Sequence, residues 1–420
     1  MPGGGSAPRL GGAEILRFLE GLRGLAQEWL TELIAIPSLS GQEAEVQTWV
    51  VERLREMGLR PQQLPVPESL REDEEYSHSD CTAPYDGRPN LVAEMGGDQG
   101  ASLIWSAHTD VVPAKDWEGA FTPQVEGTRV IGRGAVDAKG QVLTALLAWH
   151  ALRELGIALK GRLEAQFVIE EEFGGNGALA LIRAGRRADG VVVLEPTNQQ
   201  IHPANRGAIW FRFTVEGKPT HMGRKQEGVN AIEQAVELIH LLQDYERRLV
   251  EESRGVPQFE RYEAPVQVNI GMINGGEWPS MVPAKAVLEG GVGFLPNKPM
   301  AQVKEELRAL VEEKGGEWLR THYRLEFPKL HNDSYAIPSE HPLPVRLQEA
   351  CREIGVEADI FGWNISCDAR LYNRVGGMPT VVYGAGEPAQ AHAKGENTDI
   401  REVLRAAAAL ALFSARWCGT

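Results

Sequence analysis

The sequence predicts an α/β protein in which a mixed, parallel-rich sheet is sandwiched by helices and carries an inserted α+β domain. Several short runs are continuously apolar without alternation, which is typical of strands buried on both faces. Between residues 207 and about 332, apolar and polar residues alternate instead, as in the half-buried strands of an antiparallel sheet. The continuous pattern resumes after this region, which indicates that one domain is inserted within the other.

The bulk properties agree with two domains and exclude some partners. At 420 residues the chain exceeds one ordinary domain, and its net charge of −15 argues against a nucleic-acid or acidic-membrane partner. The longest late apolar run, AAAALALF, is too short to span a bilayer. The start lacks a signal-peptide pattern and predicts a flexible tail. The four cysteines form no CxxC pair, which indicates incidental thiols in a reducing compartment, so we expect a cytoplasmic protein. They are Cys81, Cys351, Cys367 and Cys418.

The first part of the chain predicts helices, a loop and then buried strands. Residues 13–34 predict one or two helices ended by Pro37, and residues 43–57 predict another closed by Gly58. Residues 60–90 are rich in Pro, Asp, Glu and Ser and predict a long surface loop with a solvated charge run. Apolar residues at helical spacing after Gly140 predict a helix ended by Gly156. Buried strands are predicted at 91–94, 103–107, 163–169, 191–194 and 380–383.

The inserted region has its own elements. Its alternating strands are predicted around residues 211–215, 266–272 and 323–327, with Met272 on the same side as Val268 and Ile270. Helices are predicted at 229–249 and 302–313 within the insert, and at 401–417 near the end of the chain. The predicted boundaries are therefore 13–206 for the first part of the main domain, 207–332 for the insert, and 333–420 for the second part.

Imidazoles and carboxylates stand at the carboxyl ends of the buried runs. His108 and Asp110 follow residues 103–107, and three glutamates end the run at 163–169. Asp137 lies in the small-residue stretch GRGAVDAKG, directly before a predicted helix. Open α/β sheets place their sites at this edge, and imidazole with carboxylate is the ligand chemistry of a hydrolytic metal site.

This set of side chains can hold two metal ions. One bridging carboxylate, with one His and one Glu for each ion, leaves each ion an open position for water. The candidate ligands are His108, Asp137, Glu172, Glu195 and His392. Asp110 is positioned to accept from the other nitrogen of His108, and Glu171 is the spare carboxylate for a general base.

Ordered motifs along nearly the whole chain carry a resemblance to a known family. They are SAHTDVVPA, GRGAVDAKG, IEEEFGGNGA, VVVLEPT, GKPTHMG with GVNAI, ISCDAR and GAGEPAQAHAKGE. With these motifs the chain resembles the dizinc amidohydrolases and peptidases that include acetylornithine deacetylase, succinyl-diaminopimelate desuccinylase and bacterial glutamate carboxypeptidase. The resemblance implies that the main domain is catalytic and that the insert is a lid and dimerisation domain of a homodimer.

The same resemblance assigns roles to individual residues. It implies that His108, Asp137 and Glu195 hold one metal ion, and that Asp137 with Glu172 and His392 holds the other. The expected ions are Zn²⁺, with Co²⁺ or Mn²⁺ as alternatives. It also implies a cis peptide bond between Asp137 and Ala138.

Three further residues take roles from the resemblance. Glu171 would be the general base. His221, in the insert, would reach the partner subunit's site and stabilise the oxyanion. Arg370 would bind a substrate carboxylate, which suits guanidinium chemistry.

The expected reaction is hydrolysis of an N-acyl amide, acetyl, formyl or succinyl-like, on an amino acid or related amine. The implied attack is by a hydroxide that bridges the two ions, with Glu171 as base. A di-, amino- or carboxypeptidase on the same scaffold stays open, as does a non-catalytic metal-binding scaffold. The chain departs from the family pattern at Ser280 and Gly293, positions that bear on substrate contacts, so the acyl group and the amine stay undetermined.

Overall fold

The computed structural model describes residues 11–79 and 82–420. Cys81 and most of the predicted N-terminal tail lie outside these residues, whereas Cys351, Cys367 and Cys418 are free and buried. The helices, numbered in chain order, are α1 (Gly12–Gly21), α2 (Arg23–Ala35), α3 (Ala44–Glu56), α4 (Lys139–Glu154), α5 (Asn176–Arg183), α6 (Ala231–Glu252), α7 (Met300–Lys314), α8 (Pro342–Glu353) and α9 (Ile400–Cys418).

The strands form two larger sheets and two small ones. In chain order they are β1 (Gln62–Leu64), β2 (Asn90–Gly96), β3 (Leu103–His108), β4 (Gln124–Glu126), β5 (Arg129–Ile131), β6 (Arg162–Val168), β7 (Gly190–Leu194), β8 (Ala204–Asn205), β9 (Gly207–Glu216), β10 (Val268–Gly275), β11 (Lys285–Phe294), β12 (Tyr323–Glu326), β13 (His331–Asn332), β14 (Tyr335–Ala336), β15 (Thr380–Tyr383) and β16 (Asn397–Asp399).

The main sheet has the order β1-β2-β6-β3-β7-β15. Strand β3 pairs in parallel with β6 and β7, and β7 pairs in parallel with β15, whereas β1 and β2 are antiparallel. Every residue of β3 and β7 is buried, because helices cover both faces. Trp105 packs into the core that contains α4 and α9, and its neighbour Ile104 packs into the core that contains α5. The predicted mixed α/β fold is thereby confirmed.

The second sheet is antiparallel, with the order β10-β11-β9-β12, and β13 extends the pairing of β9. Phe211 and Phe213 of β9 pack against α6 and α7 in a separate core. Asn230 caps the start of helix α6, because its side chain accepts hydrogen bonds from the backbone nitrogens of Ile232 and Glu233. The opposite face of this sheet is open, and Trp210 is 46% exposed there.

Strand β10 differs from the predicted alternation. The register shifts between Ile270 and Met272, so an irregularity at Gly271 moves Met272 out of the row formed by Val268 and Ile270. Met272 is consequently 55% exposed, whereas the alternation predicted that it is half-buried. A bulge of one residue moves every later side chain of the strand to the opposite face, and the residue pattern did not predict this bulge.

Residues 60–90 also differ from the predicted surface loop. Exposed acidic residues such as Glu72 and Glu74 do face solvent. However, Tyr76, Tyr85 and Arg88 are buried, because their side chains reach inward to polar partners behind the main sheet's edge. Within residues 11–79 and 82–420, no helix has the length and apolar character needed to cross a membrane.

Candidate active site

The main sheet delivers the candidate residues to one edge. His108 is the last residue of β3, Glu195 directly follows β7, and the three glutamates begin two residues after β6. His392 comes from the segment that links β15 to β16. Since these strands are parallel, their carboxyl ends lie together, and side chains distant in sequence converge there.

Asp137 lies at the centre of this convergence. Its Oδ1 is 3.0 Å from Nε2 of His108, and its Oδ2 is 3.3 Å from Nε2 of His392. The peptide bond from Asp137 to Ala138 is cis, as expected. Helix α4 begins at the next residue, Lys139. Each oxygen of one carboxylate therefore faces a different imidazole.

The glutamates complete the cluster. Nε2 of His392 is 3.1 Å from Oε1 of Glu172, and Nε2 of His108 is 3.8 Å from Oε2 of Glu195. Ligand atoms of His108, Asp137 and Glu172 lie within 4.8 Å of one another, and so do those of His108, Glu171 and Glu195. All five residues predicted as ligands are thus brought together with Glu171.

Asp110 supports this cluster from behind. Its carboxylate accepts hydrogen bonds from the backbone nitrogens of Glu171 at 3.1 Å and Glu172 at 3.2 Å, and from the hydroxyl of Ser40 at 2.7 Å. Nδ1 of His108 is 3.0 Å from the carbonyl oxygen of Asp110 and 3.4 Å from its carboxylate. Asp110 therefore positions both the imidazole and the glutamate loop, and it contacts His108 mainly through its backbone.

The three consecutive glutamates have different environments. Glu170 turns away and accepts from Tyr85 at 2.8 Å, from Arg88 at 3.1 Å and from Asn176 at 3.1 Å. Glu172 faces His392. The side chain of Glu171 makes no hydrogen bond or ion pair within the described part of the chain, and it is directed at the cluster.

The cluster is short of positive charge. Burial, with repulsion from Asp368 and Glu195, raises the pKa of Glu171 well above its usual value. Burial and the nearby Asp137 raise the pKa of Glu172 to about 7. Hydrogen bonds to Asp137 and Glu172 raise the pKa of His392 to about 10.

Among residues 11–79 and 82–420, no lysine or arginine forms an ion pair with the carboxylates of the cluster. These carboxylates are Asp137, Glu171, Glu172 and Glu195. A buried group of carboxylates without cationic side chains, joined by two imidazoles, fits the donor set of divalent metal ions.

Two carboxylates of this region were not singled out from the sequence. Glu396, fully buried, accepts from the backbone nitrogens of Gly134, Val136 and Asp137 and from the guanidinium of Arg133. Asp368 is 2% exposed, and burial raises its pKa to about 7. Both lie inside quoted motifs, GAGEPAQAHAKGE and ISCDAR, so their motif membership was the available signal.

The remaining two predicted residues lie apart from the cluster. His221 is exposed on the insert, where its Nδ1 accepts from the backbone nitrogen of Gly223, and no hydrogen bond or ion pair joins it to the cluster. Arg370 is 3% exposed and contacts Glu75 and the carbonyl oxygen of Gly174. Gly174 is two residues beyond Glu172, so Arg370 holds the loop that carries the glutamates.

This fold and this cluster define a hydrolase of amide or peptide bonds. Residues 104–416 match the peptidase family M20/M25/M40, and the chain belongs to that family. One solved structure of this family, that of the YXEP protein of Bacillus subtilis, is described as a dinuclear metal-binding peptidase.

Individual relatives cover most of the chain. It is 28% identical over 374 residues to N-formyl-4-amino-5-aminomethyl-2-methylpyrimidine deformylase of Bacillus subtilis, which covers 80% of this chain and 84% of that protein. It is also 28% identical over 341 residues to acetylornithine deacetylase of Myxococcus xanthus, and this alignment covers 79% of this chain and 84% of that protein. Its fold is similar to that of a tripeptidase from Staphylococcus aureus, with a TM-score of 0.74, 20% identity and coverage of 94% and 98%.

Proposed function

We propose that this protein is a metal-dependent amidohydrolase that removes a small acyl group, such as formyl, acetyl or succinyl, from an amine or amino acid. The observation that carries the proposal is the position of Asp137, whose two carboxylate oxygens face His108 and His392. Glu195 and Glu172 stand beyond these two imidazoles. Such a two-sided arrangement suits two cations that share one carboxylate.

The residues present fit two divalent ions. In this proposal His108, Asp137 and Glu195 hold one, and Asp137, Glu172 and His392 hold the other. Zn²⁺ is the first choice, with Co²⁺ or Mn²⁺ as alternatives, because donor sets of nitrogen and oxygen discriminate poorly among these ions. Bound there, the ions would polarise the amide carbonyl and lower the pKa of water.

Glu171 is the proposed general base. Its side chain is free of hydrogen bonds within the described residues, whereas its neighbours Glu170 and Glu172 are both engaged. A carboxylate in that state can accept a proton from the attacking water and return it to the nitrogen of the leaving amine. Asp110 accepts a hydrogen bond from the backbone nitrogen of Glu171, which helps to fix the position of the proposed base beside the cluster.

The inserted region, which we place at residues 207–332, is the proposed dimerisation domain. Strand β10 is an outer strand of its sheet, and exposed apolar side chains accompany it: Met272, Ile273, Trp278, Ile232 and Val236. An outer strand beside an apolar patch favours pairing with a second copy. His221, exposed on the same domain, would then enter the partner subunit's site and donate to the oxyanion.

The substrates named for the relatives favour acylated amines, among them a formylated aminomethylpyrimidine and acetylornithine. The deciding experiment measures release of free amine by metal-replete protein from formyl, acetyl and succinyl amides, beside unblocked dipeptides. Turnover of acylated amines above dipeptides supports the proposal. Faster cleavage of dipeptides would identify a peptidase instead. No turnover of either class, with both ions bound, would overturn the enzymatic assignment.

A further inference from the structure

Glu170, the first of the three consecutive glutamates, has a left-handed backbone conformation with a φ of 56°. A residue with a side chain rarely adopts this conformation, because its Cβ atom crowds the neighbouring backbone. Such a conformation persists where the surrounding contacts enforce it, and it is frequent at functional sites. Here it changes the direction of the chain two residues after β6, so that Glu170 faces the interior while Glu171 is directed at the cluster.

Three buried side chains hold the carboxylate of Glu170. Its Oε1 accepts from Nη2 of Arg88 at 3.1 Å, and its Oε2 accepts from the hydroxyl of Tyr85 at 2.8 Å and from Nδ2 of Asn176 at 3.1 Å. Glu170 is 4% exposed, and each of its three partners is 3% exposed or less. Three donors removed from bulk water hold the side chain in one orientation, and they thereby restrain the backbone that carries it.

The guanidinium of Arg88 connects this carboxylate to a second support of the same loop. Its Nη1 is 2.6 Å from Oε2 of Glu43, which is fully buried. Ser40, close to Glu43 in the chain, donates to the carboxylate of Asp110 at 2.7 Å. That carboxylate in turn accepts from the backbone nitrogen of Glu171 at 3.1 Å. The short segment from Ser40 to Glu43 therefore supports the proposed base through its backbone and, through Arg88, supports the residue before it.

We propose that Glu170 is a positioning residue of the active site, whose carboxylate keeps the left-handed turn that presents Glu171 and Glu172 to the cluster. The inference rests on the proposed function, in which Glu171 is the base and Glu172 is a metal ligand. A buried ion pair that only stabilised the fold would account for the contact between Glu170 and Arg88, but it gives no reason for the strained backbone at this position. The two roles differ in what a substitution changes, because positioning affects metal affinity and kcat, whereas a purely structural role affects stability alone.

Glycine and alanine at position 170 separate the two roles. Both substitutions remove the carboxylate and leave Arg88 and Tyr85 without it, so both lower the stability. Glycine, however, adopts a positive φ without a steric penalty, whereas alanine is driven toward the ordinary region. Glu170→Gly is therefore expected to keep much of the turn, and Glu170→Ala is expected to lose it. Glutamine is less decisive, because its amide oxygen can still accept from Arg88 or Tyr85.

Glu43 offers the matched control. It is a buried carboxylate bound to the same arginine, Arg88, but its backbone has an ordinary φ of −81°. Glycine relieves no strain at such a position. Glu43→Gly should therefore exceed Glu43→Ala in neither metal affinity nor kcat, although both variants leave Arg88 with one carboxylate fewer.

Metal affinity is measured by competition of the protein with a chelator for Zn²⁺, after thermal unfolding shows that each variant is folded. Residues that support a metal ligand from outside contribute about 10–100-fold to metal affinity or activity, so we expect Glu170→Ala to lose affinity in that range. Glu170→Gly should regain most of this loss. With N-formyl-2-phenylethylamine as substrate, kcat should follow the same order while KM changes little. Equal affinities in the two Glu170 variants, or the same ratio of glycine to alanine at position 43, would overturn the inference.

A second pair of variants decides the question if the Glu170 variants do not fold. Tyr85→Phe removes one hydrogen bond from the carboxylate of Glu170. Tyr76→Phe is its control, because the hydroxyl of Tyr76 is 2.9 Å from that of Tyr85 and so lies one step further from Glu170. Lower Zn²⁺ affinity in Tyr85→Phe than in Tyr76→Phe supports the positioning role, and equal affinity rejects it.

The affinity measurement needs no substrate, and it therefore separates this inference from the proposed function. If the wild type cleaves no acylated amide, the proposed function fails, while a higher affinity of Glu170→Gly than of Glu170→Ala still supports the role of Glu170. If the wild type is active and the two variants have equal affinity, the inference alone fails.

Discussion

Glu396 accepts a hydrogen bond from the backbone nitrogen of Asp137 at 3.0 Å. The same carboxylate accepts from the backbone nitrogens of Gly134 at 3.1 Å and Val136 at 3.0 Å, and from Arg133 at 2.6 Å. Four donors around one buried carboxylate fix the turn from which the side chain of Asp137 projects. The position of Asp137 between two imidazoles thus depends on a residue 259 positions later in the chain.

We expect Glu396→Gln to weaken metal binding without abolishing the fold. The amide nitrogen of glutamine is a donor and would face at least one of the backbone nitrogens that now donate to Glu396. The turn would then shift, and partners of this kind typically contribute about 10–100-fold to metal affinity or activity. Metal content after dialysis and kcat/KM measure the loss. Glu387→Gln, an exposed change in the same motif, is the control; equal metal content in both variants would contradict the assigned role.

Glu171 and Glu170 should respond differently to the same substitution. Glu171→Gln is expected to lower kcat by about 10²–10⁴-fold while both ions stay bound, because it removes a base but no ligand. Glu170→Gln should instead lower the melting temperature, because Glu170 accepts from Tyr85 and Arg88 in the interior. Turnover, bound metal and thermal unfolding are measured in parallel. Near-native turnover in a two-metal Glu171→Gln protein would remove Glu171 from the mechanism.

The sequence predicted most of the cluster for a simple physical reason. His108 ends one continuous buried strand and Glu195 directly follows another, and the carboxyl ends of neighbouring parallel strands lie at the same edge of a sheet. The sequence did not predict the burial of Glu396 and Asp368, because a buried carboxylate in a loop has no periodic signature. The ion pair between Glu75 and Arg370 was not predicted either, because the charged neighbours of Glu75 are typical of a solvated loop.

The strands of the insert were also predicted only in part. Alternation predicted its strands because one face packs on α6 and α7 while the other does not. The exposure of Met272 depends on the register shift after Ile270, which is a backbone event that the side-chain pattern does not encode. The contact that a second subunit would make through β10 likewise has no signature within one chain.

The proposed dimer gives a complementation experiment. Neither His221→Ala nor Glu171→Gln should be active alone. A hybrid dimer of the two has one complete site, because the subunit with intact Glu171 receives His221 from its partner. Co-expression with different tags should therefore restore about a quarter of the wild-type activity for random pairing. Co-expression of His221→Ala with the double variant His221→Ala/Glu171→Gln is the control and should restore no activity. Absence of recovery in an isolated hybrid dimer would show that His221 does not act across subunits.

His202, which is not part of the cluster, links the stability of the fold to pH. It is 2% exposed, its Nδ1 is 2.9 Å from the carbonyl oxygen of Phe361, and its ring stacks on Trp363 with centroids 5.6 Å apart. Burial lowers its pKa from 6.5 to about 4, although the hydrogen bond to Phe361 acts in the opposite direction. The folded protein therefore holds this imidazole neutral where the unfolded chain would protonate it.

We expect this histidine to destabilise the fold as the pH falls from about 6.5 to 4. In that window the unfolded state binds the extra proton, so the free energy of unfolding decreases with decreasing pH, by up to about 3 kcal/mol for a shift of this size. Glutamine can still donate to the carbonyl of Phe361 but does not titrate. His202→Gln should therefore show a smaller decrease than the wild type when urea unfolding is measured at pH 7.5, 6, 5 and 4. His240→Gln, which removes an exposed histidine of α6, should follow the wild type. Parallel curves for His202→Gln and the wild type would show that the imidazole of His202 is not held neutral by the fold.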